Sequence, residues 1–433
     1  MKFVKNILHN NIWLKISAFN SLSVITRFFS GWIINKLIAF YIGPEGTSVT
    51  EQFRNFLQTI QGFSTLGIND GVTKYAATYQ NRPKLLQSFL SSAYKIILIS
   101  SVIIGILTVV FASQINQYLF DERNFTILII VLGFILPLFA LQLILMAVLN
   151  GFQEYKRITY INILANSTSA IMALYLIVFQ GIYGSLILVL ATQLVLFIYT
   201  LIYIRKDLAE ILLFSFDKLD AKHLERLRAY SFMALVSAMV IPAFNILLRN
   251  QINDFFVGDE GMHAGYWDGV KKISALFLAF IMPIFSMYYY PQLTKVQTNK
   301  EYFVEVKKFF KQIFPVFTLG MILLFLLRHW ATLIFYSDAY QPMEELFIWQ
   351  LLGDFVRVIS LVLAFLMLAK VKVAYYVATE IGFWLMFYLI TPYFLANYQL
   401  KGISMAYFVT YLAYLLSLLI IYRKIFTLKT VKL

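Results

Sequence analysis

The chain has 433 residues, 60% hydrophobic and 13% charged, with no cysteine and a formal net charge of +14. A soluble domain carries about 25% charged residues, so an ordinary water-soluble fold is excluded. Without cysteine, disulfide frameworks, thiolate metal sites and cysteine nucleophiles are excluded as well.

In chain order, Met1–Leu14 with Lys2, Lys5 and Trp13 reads as a short amphipathic lead-in lying at a membrane interface. No small-residue cleavage site follows a short apolar core, so no removable signal peptide is expected there. Apolar runs of spanning length then fall at about 14–42, 47–70, 88–112, 125–149, 158–179 and 183–204. After a basic segment at 205–229, in which Lys218–Arg228 has the mixed charge of a surface helix, six more follow. They lie at about 230–250, 264–290, 309–328, 345–369, 373–396 and 402–422. The second and eighth runs are interrupted by polar residues. Twelve spans of about 21 residues take up roughly 250 positions, and the connections that remain are too short to hold a soluble catalytic domain.

With the N-terminus placed inside, 24 of the 36 Lys and Arg fall on inner segments. Four fall on outer loops (Arg123, Arg249, Arg328, Lys401), and the rest lie within helices. Acids gather outside, among them Glu45, Asp121, Asp259, Asp338, Glu344 and Glu345. This bias predicts cytoplasmic termini, and it makes the positive charge a sign of topology rather than of nucleic-acid binding.

An internal repeat supports the same layout. Tyr41-Ile42-Gly43-Pro44-Glu45-Gly46 closes the first span, and Phe256-Val257-Gly258-Asp259-Glu260-Gly261 closes the seventh. The two segments are 215 residues apart, about half the chain. Six spans on each side of the basic segment give a parallel repeat with a central cleft between lobes. The expected fold is an all-α polytopic membrane protein of twelve transmembrane helices in two six-helix bundles with pseudo-twofold symmetry and a central cavity. Its parts are an N-terminal bundle at 1–204, a cytoplasmic basic linker at 205–229 and a C-terminal bundle at 230–433.

Charges inside spans are costly and direct attention to function. Lys15 and Lys95 lie near cytoplasmic ends, where snorkelling accounts for them. Arg54 and Lys36 each lie about seven residues from the first outer turn, roughly 10 Å deep at 1.5 Å per residue. Lys271 follows Gly261 at a similar interval, which sets it against Arg54 across the expected cleft; Lys272 is its neighbour. Cations from both lobes attract an anion, and the arginine fork suits phosphate. Arg27 is deeper, and its separation from Lys36 amounts to about 900° of helix rotation, placing the two on opposite faces unless the helix bends. Arg249 completes the candidate cavity cations, although its position also fits an outer loop. Asp70–Lys74, Asp268–Lys271/Lys272 and Asp354–Arg357 have the spacing of pairs that neutralise each other along a helix, and equally suit coupling or gating charges. Glu380 has no cation within one turn, which leaves a coupling proton or a partner on another helix open.

No phosphate-binding G-x-x-x-x-G-K-[ST] loop is present, and no Ser/His/Asp set or carboxylate cluster sits on an outer loop of useful size. Nothing in the residues calls for a cofactor or metal.

Gly43-Pro44-x-Gly46, Phe53-Arg54 and Asn69-Asp70-Gly71-Val72-Thr73-Lys74-Tyr75 resemble the first helical hairpin of Wzx-type flippases. Trp349-Gln350-Leu351-Leu352-Gly353-Asp354, Ala369-Lys370 and Glu380 extend the likeness into the tenth and eleventh spans. It is collinear from about residue 20 to 425 and strongest to the flippases of enterobacterial common antigen. The resemblance implies membership of the multidrug/oligosaccharidyl-lipid/polysaccharide exporter superfamily, with alternating access and no cofactor. It implies an undecaprenyl-pyrophosphate-linked oligosaccharide as substrate, carried across the inner membrane within surrounding membrane lipid, with a polysaccharide polymerase and a chain-length regulator as further partners. Arg54, Lys74, Asp354 and Glu380 occupy matching motif positions, and Arg27 replaces a lysine. Asp268, Lys271 and Lys272 stand where the family has uncharged polar residues. A cation-coupled multidrug exporter on the same fold is the first alternative, though it calls for a carboxylate in the first span, which is absent here. A polymerase or ligase of envelope assembly is the second, and it calls for a large outer loop.

Overall fold

The computed structural model describes residues 12–121, 123–205, 221–259, 261–279, 282, 285, 289, 292–293, 296–369 and 373–423. Most of the basic linker (206–220), the first eleven residues, Glu260, Tyr290, Lys370, Lys372 and the last ten residues lie outside that set.

The described chain is helical. In order it forms α1 (Ile12–Tyr41), α2 (Pro44–Thr65), α3 (Asn69–Tyr79), α4 (Pro83–Val110), α5 (Ala112–Phe120), α6 (Thr126–Gly151) and α7 (Tyr155–Ile204). There follow α8 (Ala221–Phe255), α9 (Met262–Leu278), α10 (Asn299–Gln312), α11 (Phe314–Leu326) and α12 (Arg328–Phe335). A 3-10 segment (Asp338–Leu346), α13 (Phe347–Ala369), α14 (Val373–Tyr398) and α15 (Leu400–Ile421) complete it. Seven of these stretches are long and apolar enough to cross a membrane. The polar second run does not reach that mark, because α2 carries Thr47, Ser48, Thr50, Gln52 and Asn55 in buried positions.

The chain divides into two compact units, one of residues 1–42 and 49–243, the other of 43–48 and 244–433. The division falls beside Pro242, within α8. In the first unit α3, α4, α6 and α7 share a core that includes Val72, Phe89, Ile144, Val148 and Ile161, and α1 lays Ile34 and Ile38 against Ala173 and Ile177 of α7. In the second, Leu248, Trp267, Phe387, Ile403 and Tyr407 join α8, α9, α14 and α15. Lipid is as apolar as these side chains, so close packing and internal hydrogen bonds hold the helices together.

The duplication is visible in the backbone. Gly43 (φ +87°) ends α1, and Gly258 (φ +92°) lies in the turn after α8, 215 residues on. The starts of the next helices differ: Pro44 opens α2, where its missing N–H is no loss. Asp259 opens α9 instead, accepting from the amides of Gly261 (3.1 Å) and His263 (3.2 Å). The two turns pack together, since a Cβ on Gly265 would lie 2.0 Å from the Pro44 carbonyl. A second recurrence is the break between α4 and α5 at Phe111 (φ −96°, ψ 16°), matched at Leu327 (φ −93°, ψ 12°) between α11 and α12. A third is a tight hairpin, at Gly181 (φ 56°, ψ −132°) inside α7 and at Gln399 (φ 52°, ψ −140°) before α15.

Candidate functional site

In the first unit the cations expected within spans differ in setting. Arg27 is exposed and Lys36 partly buried on α1. Arg54 sits on α2 with its Nη1 2.8 Å from Glu51 Oε1, the arginine side chain 37% exposed and the glutamate 14%. That pairing three residues apart follows from helical spacing and was absent from the sequence expectations. The rest of α2 is tied internally and to α7: Asn55 donates to the Glu51 carbonyl (2.7 Å), and the Thr50 and Ser185 hydroxyls are 2.7 Å apart. A polar helix is thereby fixed in an apolar unit, with its guanidinium left accessible. Asp70 and Lys74 are both exposed on α3, Lys74 with its Nζ 5.8 Å from the Tyr75 ring centre.

The second unit concentrates its charge in two networks that meet on α9. In the first, Arg249 is almost wholly buried and its Nη2 contacts both oxygens of Asp268 (2.8 and 2.7 Å), while its Nε donates to one of them (3.1 Å). The outer-loop placement of Arg249 is therefore corrected: it lies inside α8, its charge neutralised by a bidentate partner. The polar Arg249-Asn250-Gln251 run mimicked a span end, but the helix continues to Phe255, with Arg249 held by Asp268 and Gln251 Nε2 donating to the Tyr388 carbonyl at 3.2 Å. Lys271 also contacts Asp268 (3.3 Å), donates to Asn245 Oδ1 (2.8 Å) and lies 3.5 Å from the Trp267 ring centre. The expected Asp268–Lys271 pair thus exists, but it shares its carboxylate with Arg249. Lys272 is partly buried.

One turn further along α9, Ser274 donates to Asp354 Oδ2 on α13, opening the second network. Asp354 is buried, and Tyr407 of α15 donates to its Oδ1 at 2.9 Å. Arg357 in turn donates to the Tyr407 hydroxyl at 3.5 Å and lies 5.8 Å from the Tyr411 ring centre. The expected Asp354–Arg357 pair is hence joined through a tyrosine hydroxyl. Glu380 on α14 lies within electrostatic reach of the Trp384 indole, one turn on, and of Arg357 on the neighbouring helix. Sequence reasoning missed Ser274, Tyr407, Tyr411 and Trp384. The Tyr407–Tyr411–Tyr414 stripe and the Glu380–Trp384 spacing were the available signals.

Arg328, His329, Gln341, Glu344 and Glu345 line a separate small hollow of about 350 Å³, where His329 Nδ1 meets Glu344 Oε1 at 2.8 Å and Lys401 meets Glu345 at 3.0 Å. Arg328, Lys401 and both acids were expected together on one side of the membrane, and the fold gathers them. Among the described residues no group of acidic and histidine side chains is placed to hold a metal ion.

Residues 14–297 match the model of a family described as polysaccharide biosynthesis protein. The Lipid III flippase of Escherichia coli (strain K12) is 26% identical over 404 residues, covering 92% of this chain and 95% of that protein. The Lipid III flippase of Shigella flexneri matches to the same extent. Among solved structures, the lipid II flippase MurJ in an inward closed conformation aligns with a TM-score of 0.73 at 16% identity, over 94% of this chain and 87% of that one. An inward-facing multidrug resistance MATE family transporter aligns with a TM-score of 0.72 at 14% identity, over 93% and 98%. The chain shares the all-helical, multi-span fold of these transporters.

Proposed function

The chain belongs to the polysaccharide biosynthesis protein family, and on that premise we propose that it is a flippase for lipid-linked oligosaccharides. The substrate is an undecaprenyl-pyrophosphate-linked repeat unit, moved by alternating access from the cytoplasmic to the periplasmic leaflet of the inner membrane. Both termini face the cytoplasm, in line with the excess of Lys and Arg on the segments read as inner. The protein transports and does no covalent chemistry. A polysaccharide polymerase and a chain-length regulator take the product onward, and the isoprenoid tail stays in membrane lipid.

The observation that carries this reading is the near full-length match to two proteins named Lipid III flippase. The site agrees with it. Arg54 keeps an accessible guanidinium on a polar helix, and Arg27 and Lys36 add positive charge in the same unit. A fixed cation there offsets the cost of bringing pyrophosphate out of water. The decisive experiment is translocation of a fluorescent polyprenyl-pyrophosphate oligosaccharide in proteoliposomes. Wild-type protein is expected to accelerate it over protein-free vesicles, and Arg54→Ala to lose most of that gain. If graded glycans under proton and sodium gradients stay in one leaflet while a cationic dye is exported, a drug exporter on the same fold replaces this reading.

A further inference from the structure

We propose that Arg357 is an anion-binding residue for the substrate pyrophosphate in the C-terminal unit, with Tyr407 and Tyr411 as positioning residues. The inference rests on the flippase reading above and assigns a residue to it. Arg249 gives three hydrogen bonds to Asp268, and Lys271 is held by Asp268, Asn245 and the Trp267 ring. Arg357 has five N–H donors in its fork, yet it makes a single long hydrogen bond, to the Tyr407 hydroxyl at 3.5 Å. The Tyr411 ring supports the guanidinium from one side without using a donor.

Asp354 and Glu380 lie close enough to stabilise that charge, and Asp354 is occupied by other groups. Asp354 receives Ser274 and Tyr407. The guanidinium is therefore stabilised in place without a direct carboxylate clamp. It is also partly accessible, unlike buried Asp354 and Arg249. An oriented fork with spare donors, on a partly exposed residue, suits a bidentate phosphate oxygen pair. A purely structural brace would instead bury its donors in direct ion pairs, as Arg249 does.

The test measures binding of undecaprenyl pyrophosphate and of undecaprenol to the full-length protein in detergent, alongside thermal unfolding. Wild type is expected to prefer the pyrophosphate. Arg357→Lys, which keeps the charge but loses the fork, and the charge-balanced pair Arg357→Gln with Glu380→Gln should each weaken pyrophosphate binding about ten-fold or more. Undecaprenol binding should stay unchanged. Tyr407→Phe, which keeps size and charge, should weaken pyrophosphate binding by a smaller factor with little change in undecaprenol binding. Folded Arg357 variants that bind the pyrophosphate like wild type would make Arg357 a structural brace and overturn the inference alone. A wild type without preference for pyrophosphate over undecaprenol would overturn the flippase reading, and this inference with it.

Discussion

Arg249 and Arg54 show how one residue type serves two ends within one membrane protein. Both lie on helices beside a carboxylate, but Arg249 and Asp268 are each almost fully buried, whereas the Arg54 side chain is 37% exposed. Removing one member of a buried pair strands the other, at a cost of about 3–5 kcal/mol. Arg249→Ala is therefore expected to lower the thermal unfolding midpoint in detergent sharply, and Asp268→Asn to do nearly the same. Arg249→Met combined with Asp268→Leu should recover most of the loss, because neither charge is then stranded. If the double variant melts with the singles, the pair contributes more than mutual neutralisation. Arg54→Ala should lower the midpoint less than Arg249→Ala, since the Arg54 side chain is already 37% exposed while Arg249 is buried, whereas translocation falls. Stability and transport are thus expected to separate at these two arginines.

At the scale of elements, the duplicated hairpins carry the clearest backbone requirement. Gly181 and Gln399 occupy the same positive-φ conformation, but only Gly181 is free of a Cβ penalty. Strain of this kind costs roughly 1–3 kcal/mol, so Gln399→Gly should raise the thermal midpoint and Gly181→Ala should lower it. Circular dichroism melting of the two variants checks both signs at once. Three residues after each turn a glycine meets a carbonyl: a Cβ would lie 1.8 Å from the Leu176 oxygen at Gly184 and 2.1 Å from the Phe394 oxygen at Gly402. Gly402→Val is expected to abolish folded yield, because backbone atoms on both arms would have to separate.

These hairpins also mark what the sequence made legible. Hydropathy marked the long apolar helices, seven of which reach spanning length, since lipid exposure demands continuous apolar surface. The Gly43/Gly258 repeat was readable because its turn needs glycine in both copies. The hairpin repeat escaped notice because one copy uses glutamine, and no residue pattern announces a shared backbone conformation. The same limit applies to the site. Helical spacing gave Asp268–Lys271 correctly, because those partners lie on one helix. The stronger Asp268–Arg249 pair joins two helices, and the Tyr407 bridge was hidden among 28 tyrosines.

For the whole molecule, orientation governs function, since a flippase inserted the other way would carry its substrate backwards. On the charge count, the turns after α3 and before α10 are expected inside, and the turns before α6 and after α12 outside. Moving Arg249 from loop to helix lowers the outer basic count from four to three, so the bias sharpens. The chain has no native cysteine, so single substitutions read orientation without background. Asn81→Cys and Lys300→Cys lie at exposed positions expected inside, and Asn124→Cys and Gln341→Cys at exposed positions expected outside. In intact spheroplasts, a membrane-impermeant maleimide should label the second pair at once and the first pair only after the membrane is opened. The two halves have six expected spans each and so share one orientation, which means Asn81→Cys and Lys300→Cys must behave alike. Labelling that splits that pair would break the parallel repeat, even if the fold of each unit stood.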